Sequence, residues 1–284
     1  PHTHLHARGG EPGALLGGRR MTGSRRGLAL ILRNRFWLGA ALVCAIAQAD
    51  PGPVLEKSAA KTARGAEIEV EVQAPEKAHH MPALIIAPGR GNSKGGSPFL
   101  KGLAEEACTS GLVAFLFNWD YNAKDKAGKP SDDLSRELED LQAVIAMAKK
   151  DPRVDPRRIL VAGKSLGSVV AYAAFREDPD LVGVILLTPP YQDAEQAGRC
   201  YPELTSEKRP VLLMVGDRDA LCPLDVFYKC LGGCGENIMV SVVGGDHRLN
   251  VGPPEDPAFT ERNARNISAA IRTVLHWVDL KLSR

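Results

Sequence analysis

The chain lacks a strong excess of charge of either sign, and this limits its possible partners. The formal net charge is +2 over 284 residues, but the first 49 residues hold seven arginines and one glutamate. Residues 50–284 therefore carry 29 basic and 33 acidic side chains, a balance of −4. Surfaces that bind nucleic acid or anionic membranes are typically strongly basic. The composition therefore argues against both kinds of partner.

The chain also lacks an apolar run long enough to cross a membrane. Its longest, Phe36 to Ala47, has twelve residues, which rise about 18 Å as a helix against a hydrocarbon core of about 30 Å. Basic residues from Arg25 to Arg35 precede this run, and Ala47-Gln48-Ala49 ends it. That order is typical of a secretory signal peptide, with a membrane anchor as the alternative. We predict a signal peptide over 21–49, cleaved after Ala49, and a secreted or periplasmic product with no stable membrane span after cleavage.

The cysteines lack the pattern of a metal site. Cys44 lies in the predicted signal peptide, and no second close pair of Cys or His accompanies Cys230 and Cys234, so a structural zinc site is not expected. An oxidising compartment permits disulfides, and an odd number of cysteines leaves at least one thiol unpaired. The sequence leaves the pairing open among Cys108, Cys200, Cys222, Cys230 and Cys234.

The chain past Pro53 has no repeat, low-complexity tract or long polar linker, so residues 50–284 are predicted to form one domain. Residues 1–20 lack hydrophobic periodicity and are interpreted as a disordered or upstream extension. Further on, short apolar runs alternate with longer helical patterns, which is typical of a parallel sheet built from βαβ units. The predicted strands span 68–72, 83–87, 112–118, 158–162, 182–187, 211–215 and 238–243. The predicted helices span 98–109, 131–150, 165–176, 224–231 and 264–282, with an irregular segment over 189–209.

This succession indicates an α/β-hydrolase fold, with a mostly parallel central sheet and helices on both faces. In sheets of this kind, catalytic groups lie on loops at the carboxyl ends of the strands.

The candidate nucleophile follows one of these strands directly. The run from Ile159 leads into Gly163-Lys164-Ser165-Leu166-Gly167, and a helical pattern follows. In this context Gly-x-Ser-x-Gly indicates a nucleophile elbow, a sharp turn that strains the serine backbone and exposes its hydroxyl. We predict Ser165 as the nucleophile. Lys164 is interpreted as a solvated or capping charge rather than as a base.

A serine hydroxyl needs a base to take its proton, and the base in this fold lies after the acid in the chain. His247 and His276 are the histidines that follow Ser165. His276 lies in the predicted terminal helix, where a packed or surface residue is expected. His247 follows a strand and two glycines, so we predict it as the general base.

The acid that orients the histidine is expected after strand 211–215. Asp217 and Asp219 both follow this strand in Gly216-Asp-Arg-Asp219. The turn Gly-x-x-Asp usually presents its fourth residue, which favours Asp219. Asp217 remains the alternative acid, or it braces the turn by bonding nearby backbone amides.

An oxyanion hole needs two backbone donors directed at the developing charge. The Leu166 amide, at the start of the predicted helix, is one candidate. The second donor is expected in the glycine-rich stretch 88–92, where Arg90 is preferred and Gly91 is the next choice. This stretch lacks the Lys-Ser/Thr of a P-loop, so no nucleotide is expected.

These motifs together resemble the dienelactone-hydrolase-like branch of the α/β hydrolases. The resemblance covers about residues 65–282 and is closest to the family that includes a testis-expressed hydrolase-like protein and a subunit of the non-specific-lethal chromatin complex. It implies a hydrolase site at Ser165, Asp219 and His247, although dienelactone hydrolases proper use cysteine as the nucleophile. The motifs that carry it are Ala-Pro-Gly-Arg-Gly at 87–91, Phe-Asn at 117–118, Gly-Lys-Ser-Leu-Gly at 163–167, Gly-Asp-Arg-Asp at 216–219 and Gly-Gly-Asp-His-Arg-Leu at 244–249.

We therefore predict a serine hydrolase that acts on small or short-chain carboxylic esters through an acyl-enzyme, without metal or cofactor. The segment 189–209 is short for a cap, and a disulfide at Cys200 is one way to hold it down. The alternative is an inactive binding or scaffold protein that keeps the fold, as the resemblance allows. The sequence leaves the oligomeric state open.

Overall fold

The computed structural model describes residues 54–91, 96–123 and 128–283. The predicted signal peptide and the extension before it lie outside these residues. Eight strands form one sheet: β1 (Val54–Lys61), β2 (Glu67–Ala74), β3 (Met81–Ala87), β4 (Val113–Phe117), β5 (Val154–Lys164), β6 (Leu181–Leu187), β7 (Val211–Gly216) and β8 (Ile238–Val243). Their order in the sheet is β1-β2-β4-β3-β5-β6-β7-β8. The first two strands run antiparallel to their neighbours and all other pairs are parallel, which confirms the predicted fold class.

Six α-helices among the described residues cover the two faces of the sheet. They are α1 (Pro98–Thr109), α2 (Ser135–Lys150), α3 (Leu166–Glu177), α4 (Ala194–Cys200), α5 (Leu224–Cys230) and α6 (Phe259–Leu282). Helices α2 to α5 pack on one face, over a core that includes Val144, Val170 and Phe227. Helices α1 and α6 pack on the other face, over Leu103 and Val274 among others. Within the described part of the chain, no helix has the length and apolar character needed to span a bilayer.

Strand β5 begins four residues earlier than predicted and helix α6 begins five residues earlier. Three further elements also differ from the sequence predictions. Strand β1 was not predicted, because its side chains are mostly exposed and show no clear alternation. Helix α2 begins at Ser135 rather than at residue 131, since Leu134 has a left-handed backbone with φ of 58° and the Asp133 carboxylate accepts hydrogen bonds from Ser135. The segment predicted as irregular contains α4, with Asp193 accepting from the Gln196 amide at its N-terminus.

The turn between β1 and β2 is fastened to α2 by Arg64. Its guanidinium pairs with Glu139 at 2.8 Å and with Asp140, which is only 1% exposed. The other Asp140 oxygen accepts the Asp120 amide at 2.9 Å. A buried carboxylate is costly unless it is paired, so Arg64 compensates a charge that the fold has already removed from water.

Replacing Arg64 should therefore destabilise the protein. We expect Arg64→Ala to lower the free energy of unfolding by about 2 kcal/mol, below the usual cost of breaking a fully buried pair because Arg64 is partly exposed. Denaturant unfolding measures this change. Arg157→Ala is the matched control, since Arg157 pairs with Asp155 while its own side chain is 88% exposed. Equal losses in the two variants would show that the pairing with Asp140 has no special weight.

Candidate active site

Ser165 lies in a sharp turn between β5 and α3. Its backbone has φ of 54° and ψ of −121°, a conformation that non-glycine residues rarely adopt. The Ser165 amide donates to the Leu187 carbonyl of β6 at 2.9 Å, and its carbonyl accepts from the Ser168 amide at 2.8 Å. These contacts hold the strained residue at the carboxyl end of the central strands.

The two glycines of the motif are required by close packing. A Cβ on Gly163 would lie 2.0 Å from the Gly167 carbonyl oxygen, and a Cβ on Gly167 would lie 2.4 Å from the Pro88 carbonyl oxygen. Both distances are far below van der Waals contact. The turn, the helix start and the loop after β3 can therefore approach one another only with glycine at both positions.

His247 and Asp219 reach Ser165 in one continuous chain of hydrogen bonds. His247 Nε2 lies 2.8 Å from Ser165 Oγ, and Nδ1 lies 2.8 Å from Asp219 Oδ2. The Asp219 side chain is fully buried, and its other oxygen accepts the Leu221 amide at 2.8 Å. A carboxylate at Nδ1 places the ring proton on that nitrogen, which leaves Nε2 free to accept the serine proton.

Asp217 and His276, the other candidates, do not join this chain. Asp217 Oδ1 accepts the Gly245 amide at 2.6 Å, and its side chain is about half exposed. It therefore braces the main chain of the loop that carries His247. His276 is exposed on α6.

The loop that carries His247 is held from several directions. Gly245 has φ of 119°, and a Cβ there would lie 2.7 Å from the backbone of Leu249. Asn266 of α6 donates to the Gly244 carbonyl at 2.6 Å and to the Leu249 carbonyl at 2.9 Å. These bonds fix the path of the loop main chain on both sides of His247.

The candidate oxyanion donors lie on two segments that pack together at the elbow. The Leu166 amide begins α3, where first-turn N–H groups have no acceptor within the helix. Arg90 lies in the loop after β3, and its carbonyl accepts from Tyr121 Oη at 2.9 Å and Asn122 Nδ2 at 3.3 Å. Trp119 Nε1 donates to the Pro88 carbonyl at 3.0 Å. Side chains after β4 thus orient the loop after β3.

Comparison with known proteins decides the family. Residues 80–279 match a family model described as an alpha/beta hydrolase domain. This chain belongs to the α/β-hydrolase family.

Known relatives and solved structures agree with this assignment. The chain is 30% identical over 110 residues to the quorum-quenching protein AidA of Acinetobacter baumannii, a match that spans 38% of this chain and 35% of that protein. An esterase of Pyrococcus furiosus superposes with a TM-score of 0.60 at 17% identity, covering 80% of this chain and 94% of the esterase. A dienelactone hydrolase of Anabaena variabilis has a TM-score of 0.60 at 18% identity, covering 80% and 97%. At such identities these two structures establish the shared fold alone.

A second serine supports the elbow of this α/β hydrolase. Ser168 is fully buried, and its hydroxyl lies 2.5 Å from the Ser165 carbonyl oxygen and 2.7 Å from Tyr201 Oη. The Tyr201 ring stacks on Tyr191. The segment 189–209 is thus held to the elbow by hydrogen bonding and ring packing. Cys200 is a free thiol, so these contacts hold the segment without a disulfide at this residue.

Lys164 differs most from its sequence interpretation in this α/β hydrolase. It is 4% exposed, so the expectation of a solvated charge is wrong. Its ammonium donates to the His247 carbonyl at 2.8 Å and to Thr188 Oγ1 at 3.1 Å. Burial lowers the pKa of Lys164 to about 8.

Several supporting residues could not be recognised from sequence. The sequence has no pattern that distinguishes these supporting residues from ordinary packed ones: Ser168, Tyr201, Thr188 and Trp119.

Among the described residues, no group of three or more His, Cys, Asp or Glu side chains is arranged as a metal site.

A methyl group at Gly163 should disrupt the elbow. We expect Gly163→Ala to cost more than about 3 kcal/mol of unfolding free energy, because its Cβ meets rigid backbone rather than a movable side chain. Gly198→Ala in α4 is the matched control, since nothing lies within 4 Å of a Cβ there; it should be neutral or slightly stabilising. Thermal or denaturant unfolding measures both. Near-native stability of Gly163→Ala would contradict the packing described.

Proposed function

We propose that this α/β hydrolase is a serine hydrolase that cleaves carboxylic esters through an acyl-enzyme. The observation that carries the proposal is the hydrogen-bond chain from Ser165 Oγ through the His247 imidazole to the buried Asp219 carboxylate. A hydroxyl alone is a poor nucleophile, and this chain supplies both a base for its proton and a carboxylate to stabilise the resulting cation.

The reaction proceeds in two halves. Ser165 Oγ attacks the ester carbonyl carbon while His247 Nε2 takes the hydroxyl proton, and the same proton then leaves with the alcohol. Water, deprotonated by His247, attacks the acyl-enzyme and releases the carboxylic acid, while the proton returns to Ser165. Asp219 holds the imidazole in the required tautomer throughout.

The developing oxyanion would be bound by the backbone amides of Leu166 and Arg90. Each donor of this kind typically contributes about 3 kcal/mol to transition-state stabilisation. Support comes from the close approach of the two segments at Gly167 and Pro88. The Arg90 carbonyl is also occupied by Tyr121, which restricts the orientation of the neighbouring peptides.

The substrate class follows from what surrounds the elbow. The segment 189–209 packs down through Tyr191 and Tyr201, both about 2% exposed, and its helix α4 has only seven residues. A segment this short leaves the site fairly open, which favours small or short-chain esters. Two proteins with the same fold are an esterase and a dienelactone hydrolase, which is consistent with ester cleavage by this protein.

Two finer predictions belong to this proposal. Membership in the branch of the testis-expressed and chromatin-complex proteins stays a prediction from the motifs at 163–167 and 244–249. Export stays a prediction from residues 21–49. An inactive scaffold remains the competing function, and the labelling experiment below decides between the two.

A fluorophosphonate probe tests the nucleophile. We expect the wild-type protein to be labelled on Ser165 and to hydrolyse p-nitrophenyl acetate, and we expect Ser165→Ala to lose both properties. Ser206→Ala, at an exposed serine, controls for non-specific labelling and should behave as wild type. A folded wild-type protein without label or turnover would favour the scaffold function instead.

A pair of aspartate variants tests the assignment of the acid. Asp219→Asn should lower kcat by about 10⁴, because an amide favours the wrong imidazole tautomer. Asp217→Asn is isosteric and can still accept the Gly245 amide, so its kcat should change little. Initial-rate kinetics at pH 7 measure both values. A larger loss in Asp217→Asn than in Asp219→Asn would reverse the assignment.

A further inference from the structure

Lys164 is a buried charged group beside the elbow that the proposed mechanism does not use. It is the residue directly before Ser165, at the end of β5, and only 4% of it is exposed. Lysine is rarely buried to this extent, because desolvating an ammonium is costly without compensation. A buried lysine at this position therefore needs a physical account.

The two contacts of the Lys164 ammonium provide one. Thr188, which accepts at 3.1 Å, lies at the end of β6, next to the strand that carries Lys164. That neighbourhood is already fixed, because the Ser165 amide donates to Leu187 and the Thr188 amide donates to Met214 of β7. The contact with Thr188 therefore adds little constraint between distant parts of the chain.

The contact with the His247 carbonyl is different in kind. It joins residues 83 positions apart at 2.8 Å. A second contact of 2.8 Å joins Ser165 Oγ to the imidazole of the same histidine. Residues 164 and 165, which are adjacent at the elbow, thus both bind His247. We call the loop after β8 that carries His247, residues 244–249, the histidine loop. Asp217 and Asn266 hold the rest of this loop through Gly244, Gly245 and Leu249. Among the residues that the structure describes, Lys164 is the one whose hydrogen bond fixes the main chain of His247 relative to the elbow.

The charges around Lys164 favour its ammonium form at neutral pH. Burial lowers the pKa of Lys164, whereas the carboxylates of Asp219 and Asp246 raise it and the Arg248 guanidinium lowers it slightly. The resulting pKa of about 8 leaves the group mostly protonated at pH 7. Its bond to the carbonyl is then charge-assisted, and such bonds are about twice as strong as neutral ones.

We propose that Lys164 is a positioning residue, whose bond from the elbow to the main-chain carbonyl of His247 sets the imidazole at hydrogen-bonding distance from Ser165 Oγ. This inference rests on the proposed serine hydrolase function. Lys164 acts through the position of the His247 imidazole, so we expect its loss to lower turnover rather than substrate binding.

Lys164→Met tests the inference, because methionine fills similar volume without a donor. At pH 7 we expect kcat to fall by about tenfold to a hundredfold, the usual effect of a displaced catalytic group, with KM nearly unchanged. Lys149→Met is the matched control: Lys149 binds Asp178 and Asp180 at the far end of α2, and its replacement should leave kcat unchanged. Wild-type kcat in a folded Lys164→Met protein would overturn the inference.

Amine rescue separates positioning from a general packing role. Lys164 lines a cavity of about 410 Å³ with Ser97, Arg248 and Asn250, which gives a small amine a route to the space left in Lys164→Ala. We expect n-propylammonium to restore part of kcat in a saturable manner. Propyltrimethylammonium, which has the charge but no N–H, should not. Equal rescue by both, or by neither, would overturn the assignment of the donor.

The remaining outcomes are also decisive. If Lys164→Met fails to fold, Lys164→Leu, which also lacks a donor, takes its place with the same expected loss of kcat; failure of both to fold would assign Lys164 to stability and contradict the inference. A wild-type protein without turnover would overturn the proposed function itself. Wild-type turnover that is unchanged in Lys164→Met overturns only the role of Lys164.

Discussion

The site depends on one strained residue, Ser165, whose backbone is held at positive φ where β5 passes into α3. A serine in this conformation is unfavourable by itself, so the surrounding structure must enforce it. The enforcement comes from close backbone packing: Gly163 lies against Gly167, and Gly167 lies against Pro88. The same packing brings the loop after β3 against Gly167, the residue that follows Leu166. The strain and the two candidate oxyanion donors therefore have one structural cause.

The sheet order explains how distant residues meet at this serine. Strands β5, β6, β7 and β8 are neighbours and all parallel, so their carboxyl ends lie side by side at one edge. Asp219 follows β7 and His247 follows β8, and each loop needs only a few residues to reach back toward β5. Ser165 and His247 are 82 residues apart in sequence, yet the register of the parallel strands determines their separation in space.

The fold and the core of the site could be predicted because their signals are local. Each buried strand is a short apolar run, and the elbow has a fixed spacing of small residues around Ser165. Strand β1 could not be predicted, because it is an exposed edge strand stabilised by pairing with β2 rather than by its own pattern. The start of α2 was misplaced because Asp133 binds the Ser135 amide from outside the helix, whereas the sequence pattern suggested a place within its first turn.

Residues whose roles depend on long-range contacts were beyond sequence reasoning. Nothing near Ser168 in the chain indicates that its hydroxyl meets Tyr201, 33 residues away. Lys164 is a sharper case, since a lysine between a glycine and a serine at a turn is ordinarily solvated. It is buried because the histidine loop and the end of β6 both cover it, and that arrangement exists only in the folded protein.

The buried charges around the elbow form a connected set rather than separate features. Asp219 is a buried carboxylate, and isolated burial of such a charge would be costly. Its hydrogen bonds to His247 and to the Leu221 amide offset part of that cost, and Lys164 supplies a positive charge nearby whose own burial Asp219 and Asp246 make tolerable. A neutral residue in place of Lys164 would remove the buried positive charge that interacts with the carboxylates of Asp219 and Asp246. Lys164 therefore balances the buried charge of Asp219, which gives a physical reason for a lysine at the residue before Ser165.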